Sequence, residues 1–332
     1  MSGTNAPIVS VKDLTVRFVN GDSQVRAVNG VSFDLSRGEV MTIIGESGSG
    51  KSVMLKTLLG LLPRHARSGG SITVDGVDIQ ALDQEAMSAL RGRKISMIFQ
   101  EPSTAFDPVY TIGEQIVETI LRHEDVGRRA AMDRARELLD LVSIPSAARR
   151  LKNFPHELSG GMRQRAMIAL ALACRPSVLL ADEPTTALDA TVQIQLLLLL
   201  RQLQRDLGMA LVFVTHDMGV AAEISDRVAV MYAGRLVETG TVEDVMLSPS
   251  HPYTSGLLAS TVHAGMRGKP LRTIAGSPPD LRALPSGCAF APRCPQAIAS
   301  CREGVPPQIQ VAPGHDAACI RVGELDTVQA RG

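Results

Sequence analysis

The octapeptide GESGSGKS constrains the fold of this chain more than any other feature. It runs from Gly45 to Ser52 and matches the pattern G-x-x-x-x-G-K-[ST]. The apolar run EVMTII precedes it and helical periodicity follows it, which is the strand–loop–helix context that the pattern needs. Because the backbone N–H groups of such a loop wrap phosphates and a helix N-terminus favours anions, the motif predicts a nucleotide-binding α/β fold.

The loop also supplies a charged group and a hydroxyl group. We expect Lys51 to place its ammonium against the β- and γ-phosphates, and the Ser52 hydroxyl to ligate Mg²⁺. The alternative is an accidental glycine-rich turn, which is rare at an average glycine content of ~7 %. The other residues expected to contact the nucleotide are Gly45, Glu46, Ser47, Gly48, Ser49, Gly50 and Val53.

A second motif, VLLADE at 178–183, ends an apolar strand in two acids. An acid at the end of a buried strand beside a phosphate-binding loop is placed to hold Mg²⁺, so Asp182 is the predicted metal partner. The adjacent carboxylate points elsewhere and can activate a water, so Glu183 is the predicted general base. The alternative is a pair of turn or helix-capping acids.

The segment LSGGMRQR, from Leu158 to Arg165, opens a helical run with Ser-Gly-Gly and predicts another helix N-terminus suited to an anion. The chain has one GESGSGKS loop, which already encloses its own phosphates. We therefore expect Ser159, Gly160 and Gly161 to contact a nucleotide held by another chain. The alternative is a serine N-cap followed by glycines that allow close packing.

Apolar runs outside these motifs predict the order of the fold. Strand-like stretches occur at 8–44, 94–100, 178–183, 210–217 and 227–232. Helical patterns cover 51–62 and 111–150. Alternation of strands and helices indicates a mainly parallel sheet. Pro and Gly become dense after about residue 250, so we expect a boundary at 248–255 and a loop-rich extension beyond it.

The composition narrows the functional class. Lys plus Arg equals Asp plus Glu at 34 each, so the chain lacks the basic excess that is typical of nucleic-acid-binding proteins. We therefore expect no nucleic-acid partner. The longest apolar runs fall short of the ~20 residues that cross a bilayer. The opening MSGTNAPIVSVKDL has no secretory pattern, which predicts a cytoplasmic chain without stable disulfides.

Taken together, these motifs resemble those of the ATP-binding-cassette (ABC) ATPases over roughly residues 8–250. Three further matches extend the resemblance: Gln100 at the end of KISMIFQ fits the Q-loop, Ala187-Leu188-Asp189 the D-loop, and His216 in FVTHD the switch histidine. The resemblance implies a P-loop NTPase with a RecA-like core, an N-terminal antiparallel β-subdomain and an inserted helical subdomain at about 101–165. It also makes ATP, with Mg²⁺, the expected ligand.

The resemblance assigns roles that the residues alone do not. Phe18 would stack on adenine, although a core strand residue is the alternative. Gln100 would sense the γ-phosphate and, with Ser52 and Asp182, ligate Mg²⁺. His216 would contact the γ-phosphate and position the attacking water, although an ordinary turn histidine is the alternative. Asp189 would join two ATPase halves, and Gln164 would act with the signature serine and glycines on the partner's ATP.

The C-terminal sequence narrows the resemblance to one subfamily. The stretches SPSHPYTSGLLAS, GSPPDLRALPSGCAFAPRCPQAIASC and GHDAAC resemble the C-terminal extension of dipeptide and oligopeptide permease ATPases, D-subunit type. This implies an ATPase domain at 1–250 and a permease-type extension at 251–332. The implied partners are a second, paralogous ATPase subunit, two transmembrane permease subunits and, indirectly, an extracytoplasmic peptide-binding protein, at the cytoplasmic face of the inner membrane.

The extension holds four of the five cysteines, Cys288, Cys294, Cys301 and Cys319. Four thiolates can ligate the four iron atoms of a [4Fe–4S] cluster, and Pro295 after Cys294 matches the Cys-Pro ending of some cluster motifs. The resemblance also implies a cluster, since some members of the family hold one. Zinc also takes four thiolates, but its structural sites more often contain closely paired cysteines. Four reduced thiols packed in a small domain are the third interpretation, and Cys174 is expected in the core.

The predicted function is therefore ATP hydrolysis that energises peptide import. The same role with nickel, a sugar or another small solute as cargo is the nearer alternative. A soluble ABC ATPase of translation or DNA repair is the other, and it is disfavoured by the single cassette, the absence of heptads and the balanced charge.

Overall fold

The computed structural model describes residues 6–21, 23–186, 188–261 and 273–324. The strands are β1 Val9–Asn20, β2 Ser23–Leu35, β3 Val40–Ile44, β4 Ala66–Val74, β5 Val77–Asp78, β6 Ile95–Ile98, β7 Val178–Asp182, β8 Ala210–Thr215, β9 Arg227–Tyr232, β10 Arg235–Thr241, β11 Ile309–Ala312 and β12 His315–Ala317. The helices are α1 Lys51–Leu58, α2 Gln84–Leu90, α3 Ile112–His123, α4 Arg128–Leu141, α5 Ala147–Arg150, α6 Gly160–Ala171, α7 Ala190–Leu207, α8 Met218–Ile224, α9 Val242–Leu247 and α10 Pro252–Ser260.

The chain divides into two compact units, the first of which is mainly Thr73–Phe213. Here β8, β7 and β6 are neighbours in that order, and β6 runs parallel to β7 from the Ile95–Val178 pair to the Ile98–Ala181 pair. Every residue of β7 is buried, as expected for a parallel strand covered on both faces. Helices α3, α4 and α6 pack on one another and form the helical part of this unit.

The second unit contains Val11–Phe33, Val40–Ile72 and the residues from Val214 onward. Its sheet has the order β11-β12-β10-β9-β3, in which β3 and β9 are parallel and the other neighbours are antiparallel. Strands β2, β1 and β4 are neighbours in a separate sheet. The fully buried β3 leads directly into the GESGSGKS loop and then into α1.

Two sequence predictions differ from the structure in detail. The helix that begins at Lys51 ends at Leu58, not at Leu62, because Leu59 caps it and Gly60 follows in the left-handed region at φ 60°. The extension predicted to be rich in loops contains α10 and two strands, and β12 pairs with β10 through Glu238–Ala317.

In the described ranges, no helix is both long enough and apolar enough to cross a membrane. The prediction about a secretory pattern rests partly on residues 1–5, and the D-loop match begins at residue 187. Both positions lie outside the described residues. The boundary predicted at 248–255 stays a prediction.

Candidate nucleotide-binding site

The phosphate-binding loop of the second unit is tightly folded against its surroundings. A Cβ on Gly45 would lie 2.1 Å from the Met231 carbonyl oxygen, and one on Gly50 would lie 2.3 Å from that of Ala27. Gly50 also has φ 106°, a conformation that L side chains rarely adopt. Only glycine fits these two positions, so the loop can take this shape in few other sequences.

Lys51 begins α1 and is almost fully buried. Its Nζ donates hydrogen bonds to the carbonyl oxygens of Gly45, at 2.6 Å, and Glu46, at 3.0 Å. The Glu46 carbonyl also accepts the Ser49 N–H at 3.2 Å. The lysine charge is therefore held against the backbone of its own loop, the part of the chain that would bind a phosphate.

The loop also carries an unsatisfied polar atom. Ser49 Oγ is buried and has no hydrogen-bond partner among the described residues. A buried hydroxyl without a partner costs about 1–3 kcal/mol, which a bound ligand can offset. Together with the cradle that only glycines leave open, this atom makes the loop a fit for a phosphate group.

Phe18, the predicted adenine partner, is half-buried near the end of β1. Its ring centroid lies 5.7 Å from that of His65, with the planes tilted by 50°. The Val19 N–H donates to the His65 carbonyl at 3.1 Å, which fixes this pair of rings beside each other. The exposed His65 was not among the residues predicted from the sequence.

In the first unit, β7 ends at the buried Asp182, and Glu183 follows in the left-handed region at φ 45°. Such a conformation is strained for a non-glycine residue and is typical of functional sites. The Glu183 Oε2 accepts hydrogen bonds from Gln100 Nε2, at 3.4 Å, and Thr186 Oγ1, at 3.2 Å. The predicted general base and the predicted Q-loop residue therefore contact each other, and Thr186 is a neighbour that the sequence did not indicate.

The signature segment begins α6 as the sequence predicts. Ser159 is the N-cap and accepts the Met162 N–H at 3.3 Å, and a Cβ on Gly160 would meet nothing within 4 Å. Gln164 is buried and donates to the Pro184 carbonyl at 2.8 Å, just after the acidic strand end. Ser159 therefore caps α6, and the open space at Gly160 is compatible with the predicted contact to a nucleotide held by another chain.

Asp189 and His216 each lie just before a helix. Asp189 caps α7 and accepts the Val192 N–H at 3.0 Å. His216 is exposed directly after β8, and the next residue, Asp217, caps α8 by accepting the N–H of Gly219 at 2.7 Å. Both predicted site residues are therefore at element ends, where side chains are displayed by rigid backbone.

The four C-terminal cysteines line one partly open cavity. All are free thiols, and burial raises the pKa of Cys288, Cys294 and Cys319. Within the described part of the chain, no three His, Cys, Asp or Glu side chains converge so as to hold a metal ion. The [4Fe–4S] and zinc predictions for these cysteines are therefore not confirmed. Cys174 is buried, as predicted.

Sequence reasoning also missed two residues that hold the phosphate-binding loop from the C-terminal part of the chain. Tyr253 accepts the Glu46 N–H at 2.9 Å, and Arg293 pairs with the Glu46 carboxylate. A second, partly open cavity lies between residues 46–49 of the loop and the segment that contains Pro278, Pro279 and Leu281. Nothing in the periodicity of the C-terminal sequence indicates these contacts.

A strand that leads into this loop and helix, in an α/β fold, defines a P-loop nucleoside triphosphatase. Comparison with known proteins narrows the class. The ABC transporter family model matches residues 28–186, and the model of the oligopeptide/dipeptide transporter C-terminal region matches residues 237–301.

Individual proteins agree with these matches. The oligopeptide transport ATP-binding protein OppD of Escherichia coli is 46 % identical, with 95 % of this chain and 93 % of that protein covered. The dipeptide transport ATP-binding protein DppD of Bacillus subtilis is also 46 % identical, with 94 % of each covered. The ATP-binding cassette MJ0796, solved as a dimer with ADP and phosphate, superimposes with a TM-score of 0.64 at 30 % identity, covering 70 % of this chain and 98 % of that chain.

The chain therefore belongs to the ATP-binding subunits of ABC transporters and is an ATPase of that family. This confirms the family and the P-loop fold predicted from the motifs. The roles assigned to individual site residues remain predictions.

Proposed function

We propose that this chain hydrolyses ATP to drive the import of dipeptides or oligopeptides. The observation that carries the proposal is the match of both the cassette and the C-terminal region to peptide transport ATP-binding proteins over nearly the full chain. Nickel, sugars or other small solutes as cargo are the alternative, and the soluble role in translation or repair lacks any such support.

The proposed partners follow from the ATPase cycle. Two ATPase subunits, this one and a paralogue, bind ATP head to tail at the cytoplasmic face of the inner membrane. They dock on two transmembrane permease subunits, and an extracytoplasmic peptide-binding protein delivers the cargo. Closure of the ATPase pair is passed to the permease through the segment EPSTAFDPVYTIGEQ, which follows Gln100. ATP must therefore favour the closed state over the open one.

In the proposed chemistry, the loop N–H groups and Lys51 bind the β- and γ-phosphates, and Phe18 stacks on adenine. Ser52, Gln100 and Asp182 would hold Mg²⁺, which neutralises charge on the phosphates. Glu183 accepts a proton as a water oxygen attacks the γ-phosphorus and the bond to the ADP oxygen breaks. His216 orients that water.

The signature segment LSGGMRQR completes the binding site of the ATP that the partner subunit holds. Ser159, Gly160 and Gly161 offer an N-cap hydroxyl and helix N-terminal N–H groups to its γ-phosphate, with Gln164 behind them. Asp189 contributes to the junction between the two subunits.

We propose further that the cysteine cavity holds a [4Fe–4S] cluster in preference to zinc. The four thiols line one cavity, and their spacing in the sequence lacks the closely paired cysteines that structural zinc sites more often contain. Positive metal charge would also lower the thiol pKa values that burial raises. About four iron and four acid-labile sulfide per chain after anaerobic purification would support the cluster. One zinc, or no metal with all thiols free, would overturn it.

The transport proposal is tested by reconstitution. The chain, its paralogous subunit and the two permease subunits are placed in proteoliposomes with the binding protein outside and ATP inside. Uptake of a labelled peptide and its stimulation of ATP hydrolysis are measured, with Glu183→Gln as the inactive control. We expect uptake only with the wild-type chain. Uptake of nickel or a sugar in place of peptide would overturn the cargo, and uptake of no solute would overturn the transport role.

A further inference from the structure

Glu46, the second residue of the phosphate-binding loop, is held at three points. Its backbone N–H donates to Tyr253 Oη at 2.9 Å, and its carbonyl accepts Lys51 Nζ at 3.0 Å. Its carboxylate accepts two hydrogen bonds from Arg293, Nη1 to Oε2 at 2.7 Å and Nη2 to Oε1 at 3.0 Å. Two of the three holding groups come from the C-terminal part of the chain, and 247 residues separate Glu46 from Arg293.

Arg293 is itself firmly fixed. Its side chain is only 5 % exposed, and its Nε donates to the Ala275 carbonyl at 3.0 Å. Its Nη1 also reaches the Tyr232 hydroxyl at 3.3 Å. The paired Glu46 carboxylate raises the pKa of Arg293 further, so the charge is permanent. A bidentate, largely buried pair of this kind fixes geometry more strongly than a surface ion pair does.

The Glu46 carbonyl is one of the two acceptors that hold the Lys51 ammonium, and the Gly45 carbonyl is the other. The Glu46 carbonyl also accepts the Ser49 N–H, which shapes the turn ahead of α1. A loop already held in its binding shape does not have to be ordered when ligand arrives, and this saving appears as affinity. The contacts of Glu46 therefore bear on nucleotide affinity as well as on folding.

The turn that carries Arg293 also borders the cysteine cavity. Cys294 is the next residue, and Phe290 lines the cavity while its ring packs 5.4 Å from that of Tyr253 and 5.3 Å from that of Tyr232. The Arg293 N–H donates to the Phe290 carbonyl at 2.9 Å, which closes the turn. One rigid turn thus contacts the cavity with one side and the phosphate-binding loop with the other.

We propose that Arg293 is a positioning residue for ATP binding, which acts through the Glu46 carboxylate to hold the phosphate-binding loop in its binding shape. The inference rests on ATP binding by this loop. A purely structural role, in which the ion pair only fastens the C-terminal segment to the rest of the unit, is the competing interpretation. The two differ in whether nucleotide affinity changes in a protein that remains folded.

The test is a double-mutant cycle with Arg293→Gln, Glu46→Gln and the double variant, each in the Glu183→Gln background so that ATP is not consumed. The Kd for ATP is measured by calorimetry, and the Tm without ATP is measured separately. We expect each single variant to weaken ATP binding about tenfold and the double variant to be no weaker than either single one. Arg282→Gln is the matched control, since it breaks an exposed ion pair with Asp280 in the same segment and is expected to leave the Kd within twofold.

The steady-state rates in the wild-type background give a second readout. We expect Arg293→Gln to raise the KM for ATP and to leave kcat within twofold at saturating ATP. If Arg293→Gln does not fold, Glu46→Gln alone retains the backbone contacts of the loop and still tests the carboxylate. An unchanged Kd in folded variants, with only the Tm lowered, would overturn the proposal. Failure of the parent chain to bind ATP would instead refute nucleotide binding itself.

Discussion

Gln100 Nε2 donates a hydrogen bond to Glu183 Oε2 at 3.4 Å, and this joins the strand end after β6 to the strand end after β7. Parallel neighbouring strands place such residues at the same edge of the sheet. The contact is long, so a ligand can displace it at little cost. The Thr186 hydroxyl, which donates to the same oxygen at 3.2 Å, helps to orient the Glu183 carboxylate.

The proposed role of Glu183 makes a direct prediction. Glu183→Gln has nearly the same shape and can still accept the Gln100 hydrogen bond, but it cannot take a proton from water. We expect ATP binding to be retained and turnover to fall by 10²-fold or more, with the ATP-bound subunit pair trapped closed. Phosphate release and the amount of dimer with ATP measure this. Turnover at a tenth of the wild-type rate or above would show that Glu183 is not the general base.

Lys51 is the only lysine of the loop, and its Nζ is held by two loop carbonyls. Removal of its charge leaves Mg²⁺ as the only proposed counter-ion of the phosphates and takes this donor away from the two carbonyls. We expect Lys51→Met to weaken ATP binding at least a hundredfold, or about 2.7 kcal/mol. Lys56→Met, at an exposed position of the same helix, is the control and should bind ATP normally. Equal affinity in the two variants would contradict the role of Lys51.

The sequence predicts best those parts of the fold in which the residue types of a short segment match the burial and the space that the folded protein gives them. Strand β7 is buried throughout and is apolar up to its last residue, Asp182, and Gly50 lies where no side chain fits. Strand β12 could not be predicted, because it is three residues long and its first residue is a buried histidine. It pairs with β10 on one side and with β11 on the other, and no local pattern in its own three residues indicates either contact. The Arg293–Glu46 pair was hidden for a similar reason, since no local rule connects two charges so far apart in the chain.

The shape of the loop predicts an effect of Gly50→Ala on stability. The added Cβ would meet the Ala27 carbonyl oxygen at 2.3 Å, and alanine disfavours φ 106°. We expect a loss of at least about 2 kcal/mol in the free energy of unfolding, together with loss of ATP binding. Gly76→Ala is the matched control for conformation alone, since Gly76 has φ 79° and open space around it. A cost no larger than that of the control would show that the loop relaxes to admit a side chain.

Two buried histidines predict opposite pH dependences for the C-terminal part of the fold. Burial lowers the pKa of His251 to about 4, and its Nδ1 accepts the Tyr253 N–H at 3.1 Å. The hydrogen bond to Glu238 raises the pKa of His315 above its usual value. Glu238 faces both histidines, because it also accepts the His251 N–H at 2.9 Å.

The signs follow from proton binding in the folded and unfolded states. Between about pH 6.5 and 4 the unfolded chain protonates His251 and the folded chain does not, so the folded state loses up to about 3 kcal/mol as the pH falls. His315 contributes stability that is complete below its unfolded pKa and is lost as the pH rises through its raised folded pKa. We therefore expect stability to fall on both sides of a maximum.

Denaturant unfolding at a series of pH values checks this. Two variants separate the loss of stability at low pH, the acid limb, from the loss at high pH, the alkaline limb. His251→Asn keeps an acceptor for the Tyr253 N–H but cannot titrate, so it should flatten the acid limb alone. His315→Gln should flatten the alkaline limb alone, because its amide can still donate to Glu238 without a charge. If His251→Asn left the acid limb unchanged, the carboxylates elsewhere in the chain would be its cause, and the buried histidine would not govern how the C-terminal segment holds to the second unit.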